Sequence, residues 1–317
     1  MARTSFPISV DAAQIARAAE LIRRGELVAF PTETVYGLGA NALDANAVAR
    51  IFEAKGRPST SPLIVHVYGI ERVGVVARYW PDQAETLARR FWPGPLTLVL
   101  PKQAAIPPLV TAGLDTVGVR IPNHPIALAL LREVGVPIAA PSANRFTHLS
   151  PTTAAHVRES LGDRVSLILD GGPANVGLES TVLSLAGPAP VLLRPGMITR
   201  QQIEDLIGPV TLAEDPLHGP HSSPGQHRKH YSPRTPLVFV ENGELPGGRG
   251  AYLYWHTFLN ASRVYRMPSD AESSAARLYD ILHELDNQSW DWIAVELPPR
   301  GPGWEAIHDR LNRAAAR

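Results

Sequence analysis

Near residue 208 the 317-residue chain stops reading as a succession of strands and helices. The stretch "GPVTLAEDPLHGPHSSPGQHRKHYSPRTP" (208–236) is rich in Pro, Gly, Ser and His and has little periodicity. A segment of that length without an element of its own is unusual in a compact domain, and is either flexible or functional. It divides the chain into a large unit, 1–207, and a small unit, 236–317, with 208–235 as the linker between them. Hydrophobic residues make up 44% of the chain, which allows a sizeable core.

Before the linker, short apolar runs alternate with helical patterns. "DAAQIARAAELIRR" (11–24) places Ile15, Ala18, Ala19 and Ile22 at helical spacing, with Asp11 and Gln14 as a capping pair and Gly25 as a stop. A second helix is expected over 44–54, and others over 82–91, 125–134, 152–160 and 200–207. Strands are expected at 27–30, 63–67, 96–100, 116–121, 137–140, 166–170, 180–185 and 190–194. Strands outnumber helices, so a twisted, partly antiparallel sheet flanked by helices fits better than strict βα alternation. After the linker, strands at 237–243, 251–256 and 291–297 and helices at 271–286 and 303–316 form a small α/β unit.

Several function classes drop out on composition. Thirty Lys and Arg balance thirty Asp and Glu, so the chain carries no broad electrostatic footprint for nucleic acid. There is no cysteine, which excludes disulfides, thiolate nucleophiles and cysteine-ligated metals. No run is apolar and long enough to span a bilayer, and the start "MARTSFPISVDAAQ" lacks a signal-peptide core, so a cytoplasmic protein is expected.

Polar groups gather where strands end. In "FPTETVYGLGANA" (30–42) hydroxyls, a carboxylate and two glycines follow an apolar strand. Lys55 and Arg57 in "KGRP" either complement a helix C-terminus or hold a polyphosphate in a loop stiffened by Pro58. In "LIVHV" Ile64 and His66 share one face, and His66 is either a structural residue or a ligand contact. "TVGVRI" puts Thr116, Gly118 and Arg120 on one face. That face is either solvated or a slot in which Arg120 meets a carboxylate. "APSAN", "LSPTT", "LESTV" and "LLRPG" repeat the theme with Ser142, Asn144, Ser150, Ser180 and Arg194. Ser142 has no G-x-S-x-G elbow around it, which argues against a serine hydrolase. There is no Walker motif and no spacing that suggests a metal site, so the whole describes a pocket for anionic groups without a covalent intermediate.

The segments "FPTETVYGLGANA", "KGRPSTSPLIVHV", "WPGPLTLVL", "AGLDTVGVRIPNHP", "PIAAPSAN", "DGG", "ESTV" and "LLRPG" follow one another as in the YrdC-like family. From about residue 9 onward the chain resembles that family's long, two-domain form, the L-threonylcarbamoyladenylate synthases, and "HYSP" (230–233) resembles its H-Y-x-P element. The resemblance implies a YrdC-like α/β domain around a concave, positively lined cavity, a small Rossmann-like domain, and a linker acting as a lid. It implies synthesis of L-threonylcarbamoyl-AMP from L-threonine, bicarbonate and ATP, with Mg2+ expected on the nucleotide. The product would serve the threonylcarbamoylation of adenosine beside the anticodon in tRNAs reading ANN codons, with possible handover to the downstream transfer machinery. It implies Thr32, His66, Arg120, Ala140 and Ser180 as threonine contacts, and Thr116, Ser142, Asn144, Ser150, Arg194 and Tyr231 as ATP contacts. Lys55 and Arg57 would bind ATP and stabilise the developing charge. Gly37 and Gly39 would let backbone approach the ligand.

A second reading is a double-stranded RNA or tRNA-binding module without adenylylating activity. It rests on "HRKH" (227–230) and the basic loop at 55–57, against zero net charge and no aromatic RNA-binding pattern.

Overall fold

The computed structural model describes residues 10–213, 225 and 229–316. Most of the linker, 214–224 and 226–228, and with it much of the "HRKH" cluster and the expected lid, therefore lies outside the described residues.

The chain opens with α1 (Ala12–Arg23), capped by the reciprocal Asp11–Gln14 pair, and turns at Gly25 with a φ of 80°. It continues through β1 (Val28–Phe30), β2 (Gly37–Asn41), α2 (Ala45–Lys55), β3 (Ile64–His66), α3 (Asp82–Phe91), β4 (Leu96–Pro101), β5 (Thr116–Arg120) and α4 (Pro125–Val134). Next come β6 (Ile138–Ala139), α5 (Ala154–Leu161), β7 (Leu167–Ile168), β8 (Thr181–Ser184), β9 (Val191–Arg194), α6 (Arg200–Ile207) and β10 (Thr211–Leu212). The ten strands form one mixed sheet in the order β10-β9-β8-β4-β5-β3-β6-β2-β1-β7. The last strand pairs with β9, so the large sheet ends at 212, past the boundary expected at 207.

Three strands were hidden in the sequence: β2, β10 and the strand Arg263–Arg266 of the small domain. The glycines of "GLGAN" read as a loop, yet β2 sits inside the sheet between β1 and β6. A Cβ on Gly39 would stand 2.8 Å from the Phe30 ring and 3.0 Å from Ile138. Packing therefore requires a glycine at Gly39, and Gly37 lines the pocket described below.

Period-two alternation gives the sheet two unequal faces. Leu63, Val65, Val67, Val117, Val119 and Ile121 point into the main core with α2, α3, α5 and α6. On the other face α1 and α4 pack over Val28, Phe30, Ile138 and Ala140, at the β6-β2-β1 end. Further along that face, Ile64, His66 and Arg120 are left to line a pocket.

The small domain comprises β11 (Leu237–Phe239), β12 (Gly250–Tyr254), β13 (Arg263–Arg266), α7 (Ala271–Asp286), β14 (Trp292–Val295) and α8 (Glu305–Ala315). Its sheet is parallel throughout, in the order β11-β14-β12-β13. Both helices pack on the face of Ala251, Leu253, Ile293 and Val295. The carboxyl edge of such a sheet is the usual ligand position. Here the Glu296 carboxylate occupies it, accepting N–H bonds from Trp255 (2.5 Å), His256 (2.8 Å) and Thr257 (3.1 Å). The core of this domain also includes Val35, Leu149, Leu178 and Tyr231, so it runs across the domain boundary to the pocket.

Candidate functional site

The turn after β1 explains itself through its hydroxyls. Thr32 Oγ1 donates to the Val35 carbonyl at 2.6 Å and accepts N–H bonds from Thr34 and Val35. With its proton so placed, Thr32 receives the 2.8 Å bond from Thr34 Oγ1, which leaves Thr34 to accept Arg120 Nη1 at 3.0 Å. Glu33 fixes the same arginine from the other side. Its Oε1 lies 2.6 Å from Arg120 Nη2, while Oε2 accepts the Asn123 N–H at 2.9 Å. The 2.6 Å contact is too poorly aligned to count as a hydrogen bond and acts as a close ion pair. Arg120 Nε donates to the Gly94 carbonyl. Arg120, expected either on a solvated face or in a slot that meets a carboxylate, is a buried guanidinium that carries the Glu33 carboxylate and also lines the pocket beside it.

His66, beside Arg120 on the neighbouring strand β3, stands edge-on to Phe30 with ring centroids 6.2 Å apart. Burial, then the Arg120 charge, pushes its pKa down to about 3. The imidazole is neutral at ordinary pH, and its Nδ1 has no partner. It offers a hydrogen bond, and is too weak a base to take a proton from an ammonium group. Thr32, Ala140 and Ser180 line the same cavity. Ser180 shares a 2.8 Å hydroxyl contact with Thr97 and receives Arg194 Nη2 at 3.2 Å.

The remaining wall is cationic. Arg57 is buried; its Nη2 donates to Ser61 Oγ at 2.5 Å and the Pro62 carbonyl at 2.9 Å, and its Nε has no partner. Burial, with Arg194 nearby, lowers its pKa to about 10, still a cation at neutral pH. Arg194 and Ser142 also face the cavity. Tyr231 joins them from the linker in a left-handed backbone conformation (φ 59°), 1% exposed, its hydroxyl without a partner. The cavity measures about 50 Å3, far below the several hundred Å3 usual for nucleotide-sized sites.

Four expected contacts do not reach this wall: Lys55, Thr116, Asn144 and Ser150. The Lys55 ammonium donates to the Ser142 carbonyl at 2.6 Å and to the Asn144 carbonyl, so it braces the "PSAN" loop from behind. Its burial, then Arg57, lowers its pKa well below that of an ordinary lysine. Asn144 ties the same loop to the His148 carbonyl at 2.8 Å. Ser150 Oγ donates to Glu179.

Glu179 is the charged pocket residue that the sequence reading did not name as a contact. Its Oε2 accepts Arg310 Nε at 2.8 Å and Tyr279 Oη at 3.2 Å, both from the small domain. Burial alone would raise its pKa, but Arg310 and Arg194, with the Ser150 and Arg310 hydrogen bonds, hold the carboxyl below its usual range. Arg310 lies on the buried stripe of α8 with Ile307, Leu311 and Ala314, and an arginine on such a stripe was the available signal. Among the described residues no group of three His, Asp or Glu is arranged to hold a metal ion. Glu179 on the pocket wall and Glu33 behind Arg120 are each already engaged by arginine.

Comparison with known proteins adds an independent line. Residues 20–196 match a family model described as telomere recombination, and 198–316 match one described as threonylcarbamoyl-AMP synthase, C-terminal domain. A Bacillus subtilis threonylcarbamoyl-AMP synthase is 47% identical, covering 97% of this chain and 94% of the relative. A Pyrococcus abyssi threonylcarbamoyl-AMP synthase is 43% identical, over 94% of this chain and 93% of its own. The solved structure of P. abyssi Sua5 complexed with L-threonine superposes with a TM-score of 0.91 at 41% identity, covering 96% of this chain and 95% of that one.

Proposed function

The chain belongs to the threonylcarbamoyl-AMP synthase family, and from that membership we propose that it joins L-threonine, bicarbonate and ATP into L-threonylcarbamoyl-AMP. The observation that carries this reading is one pocket lined by Thr32, His66, Arg120, Ala140 and Ser180 together with Arg57, Ser142, Arg194 and Tyr231. Its likeness to a protein solved with L-threonine supports the amino-acid assignment.

In this reading the threonine amine and bicarbonate condense to a carbamate with loss of water. A carbamate oxygen then attacks the α-phosphorus of ATP, and the bond to pyrophosphate breaks. Pyrophosphate carries away the charge. None of these steps needs a protein nucleophile. The protein supplies position and fixed charge: Arg120 and Thr32 hold the amino acid, while Arg57 and Arg194 face the triphosphate. Lys55, Asn144 and Ser150 act one layer back, by holding the loop and the carboxylate that shape the wall. Thr116 sits on the same face of β5 as Arg120, outside the cavity as it stands. Mg2+, expected with the nucleotide, would neutralise phosphate charge; among the described residues the carboxylate lining the pocket, Glu179, is already paired with Arg310.

The small cavity supports a lid: Tyr231 and the linker end withdraw to admit ATP, then close to keep water from the carbamate and the mixed anhydride. The product passes to machinery that modifies tRNA, in the cytoplasm where ATP and tRNA meet. No helix among the described residues is long and apolar enough to cross a membrane. Among the described residues the RNA-binding alternative has no comparable feature in its favour.

The test is pyrophosphate release from ATP with threonine and bicarbonate omitted in turn. Release should require both. Equal release with serine, alanine or no amino acid would overturn the assignment.

A further inference from the structure

We infer that the small domain completes the active site through Arg310, a positioning residue that sets Glu179 and Tyr231 on the pocket wall. This deepens the synthase reading and rests on it. Arg310 is 1% exposed, and it reaches out of its own domain. Besides the bond to Glu179 Oε2, its Nη2 donates to the Pro195 carbonyl at 3.1 Å, in the turn that follows Arg194. Its guanidinium carbon lies 5.0 Å from the centre of the Tyr231 ring, a cation–π contact. One side chain of α8 therefore touches three segments that form the cavity.

The surrounding packing leaves little slack. A Cβ on Gly177, two residues before Glu179, would fall 2.5 Å from the Ala275 carbonyl oxygen of α7, so the loop is pressed onto the small domain. Around Glu179 stand Arg310 from α8, Tyr279 from α7, Ser150 from the loop before α5, Arg194 from β9, Tyr231 from the linker and Lys55 at longer range. Arg310 is the fully buried cation hydrogen-bonded to this carboxylate. Without it, desolvation dominates and favours the protonated acid. The small domain has no open ligand edge at the strand ends Glu296 fills, which fits a domain that works by reaching into its neighbour.

The test uses the full chain carrying Arg310→Met, Arg310→Lys, Glu179→Gln, and Arg310→Met with Glu179→Gln. Pyrophosphate formation should fall about 10-fold or more in Arg310→Met, with threonine affinity within about 3-fold, and Arg310→Lys should recover part of the loss. A readout independent of activity is the unfolding midpoint against pH. In Arg310→Met the buried acid has a folded pKa above its unfolded value, so stability should fall as pH rises from 5 toward 8. The double variant should lose that slope. If Arg310→Met shows no new pH slope, or the double variant keeps it, Arg310 does not set Glu179 and the inference fails. If the slopes behave as stated while the parent enzyme shows no threonine-dependent pyrophosphate release, the synthase reading fails instead.

Discussion

The Glu33–Arg120 and Glu179–Arg310 pairs border the same pocket, and they are assembled differently. Glu33 follows β1 and Arg120 ends β5, so the first pair closes within one sheet, with Thr34, Gly94 and Asn123 completing its bonds. The second spans 131 residues and two domains. A carboxylate that must stay ionised in a dry wall needs a cation, and the large domain gives Glu179 only Arg194 and Lys55 at some distance. The Arg120 end of the pocket is thus built by local topology, whereas the Tyr231 end draws on contacts from the small domain.

Breaking the local pair should have the largest effect. Arg120→Met leaves Glu33 buried without its cation, a loss of about 3–5 kcal/mol in folding stability. Urea unfolding measures it, and calorimetry should find threonine binding abolished. Threonine binding at parental affinity would show that Arg120 serves Glu33 alone.

Removing the assembled pair wholesale is the next cut. A chain ending at Ala213 keeps the ten-stranded sheet and the Arg120 pair but loses Arg310, Tyr279 and Tyr231. Threonine should still bind, while threonine-dependent pyrophosphate formation drops roughly 100-fold, or about 2.7 kcal/mol. Its stability should drop too, because Val35, Leu149 and Leu178 lose their cover. A truncated protein with full activity would make the pocket a one-domain site and remove Tyr231 from it.

The effect with the smallest change per step is a pH slope at the local end. His66 has a folded pKa of about 3 against 6.5 for an unperturbed histidine. Between those values the unfolded chain binds the extra proton, so stability is full above pH 6.5 and declines on acidification toward 3, by at most about 1.4 kcal/mol per pH unit. Thermal unfolding of His66→Gln from pH 7 to 4 should show a shallower decline. An unchanged slope would assign the effect elsewhere, with His156, also pushed down to about 3, the first candidate.

The same division explains what could be read in the sequence. Helices with a regular apolar stripe were legible almost to the residue: α3, α4, α6 and α7 fall at 82–91, 125–134, 200–207 and 271–286. The alternation in "LIVHV" and "TVGVRI" placed His66 and Arg120 on the open face. β2 was not legible, because Gly37 and Gly39 carry no strand propensity and owe their place to Phe30 and Ala140. Nor was the state of Lys55, whose charge goes to backbone carbonyls that no spacing rule brings near it. Arg310 was visible only as an oddity on an apolar stripe, since its partner is a tertiary contact.

The distance between Glu179 and Arg310 also has a meaning for synthesis on the ribosome. The carboxylate is translated 131 residues ahead of the guanidinium, a delay on the order of ten seconds at usual elongation rates. During that interval the nascent large domain can fold its sheet and its Arg120 pair while Glu179 stays protonated or open to water. Activity should thus appear only once α8 has left the exit tunnel. A message cut short after residue 213 and before α8 should yield a chain that keeps the ten-stranded sheet and the Arg120 pair but lacks Arg310 at the pocket wall.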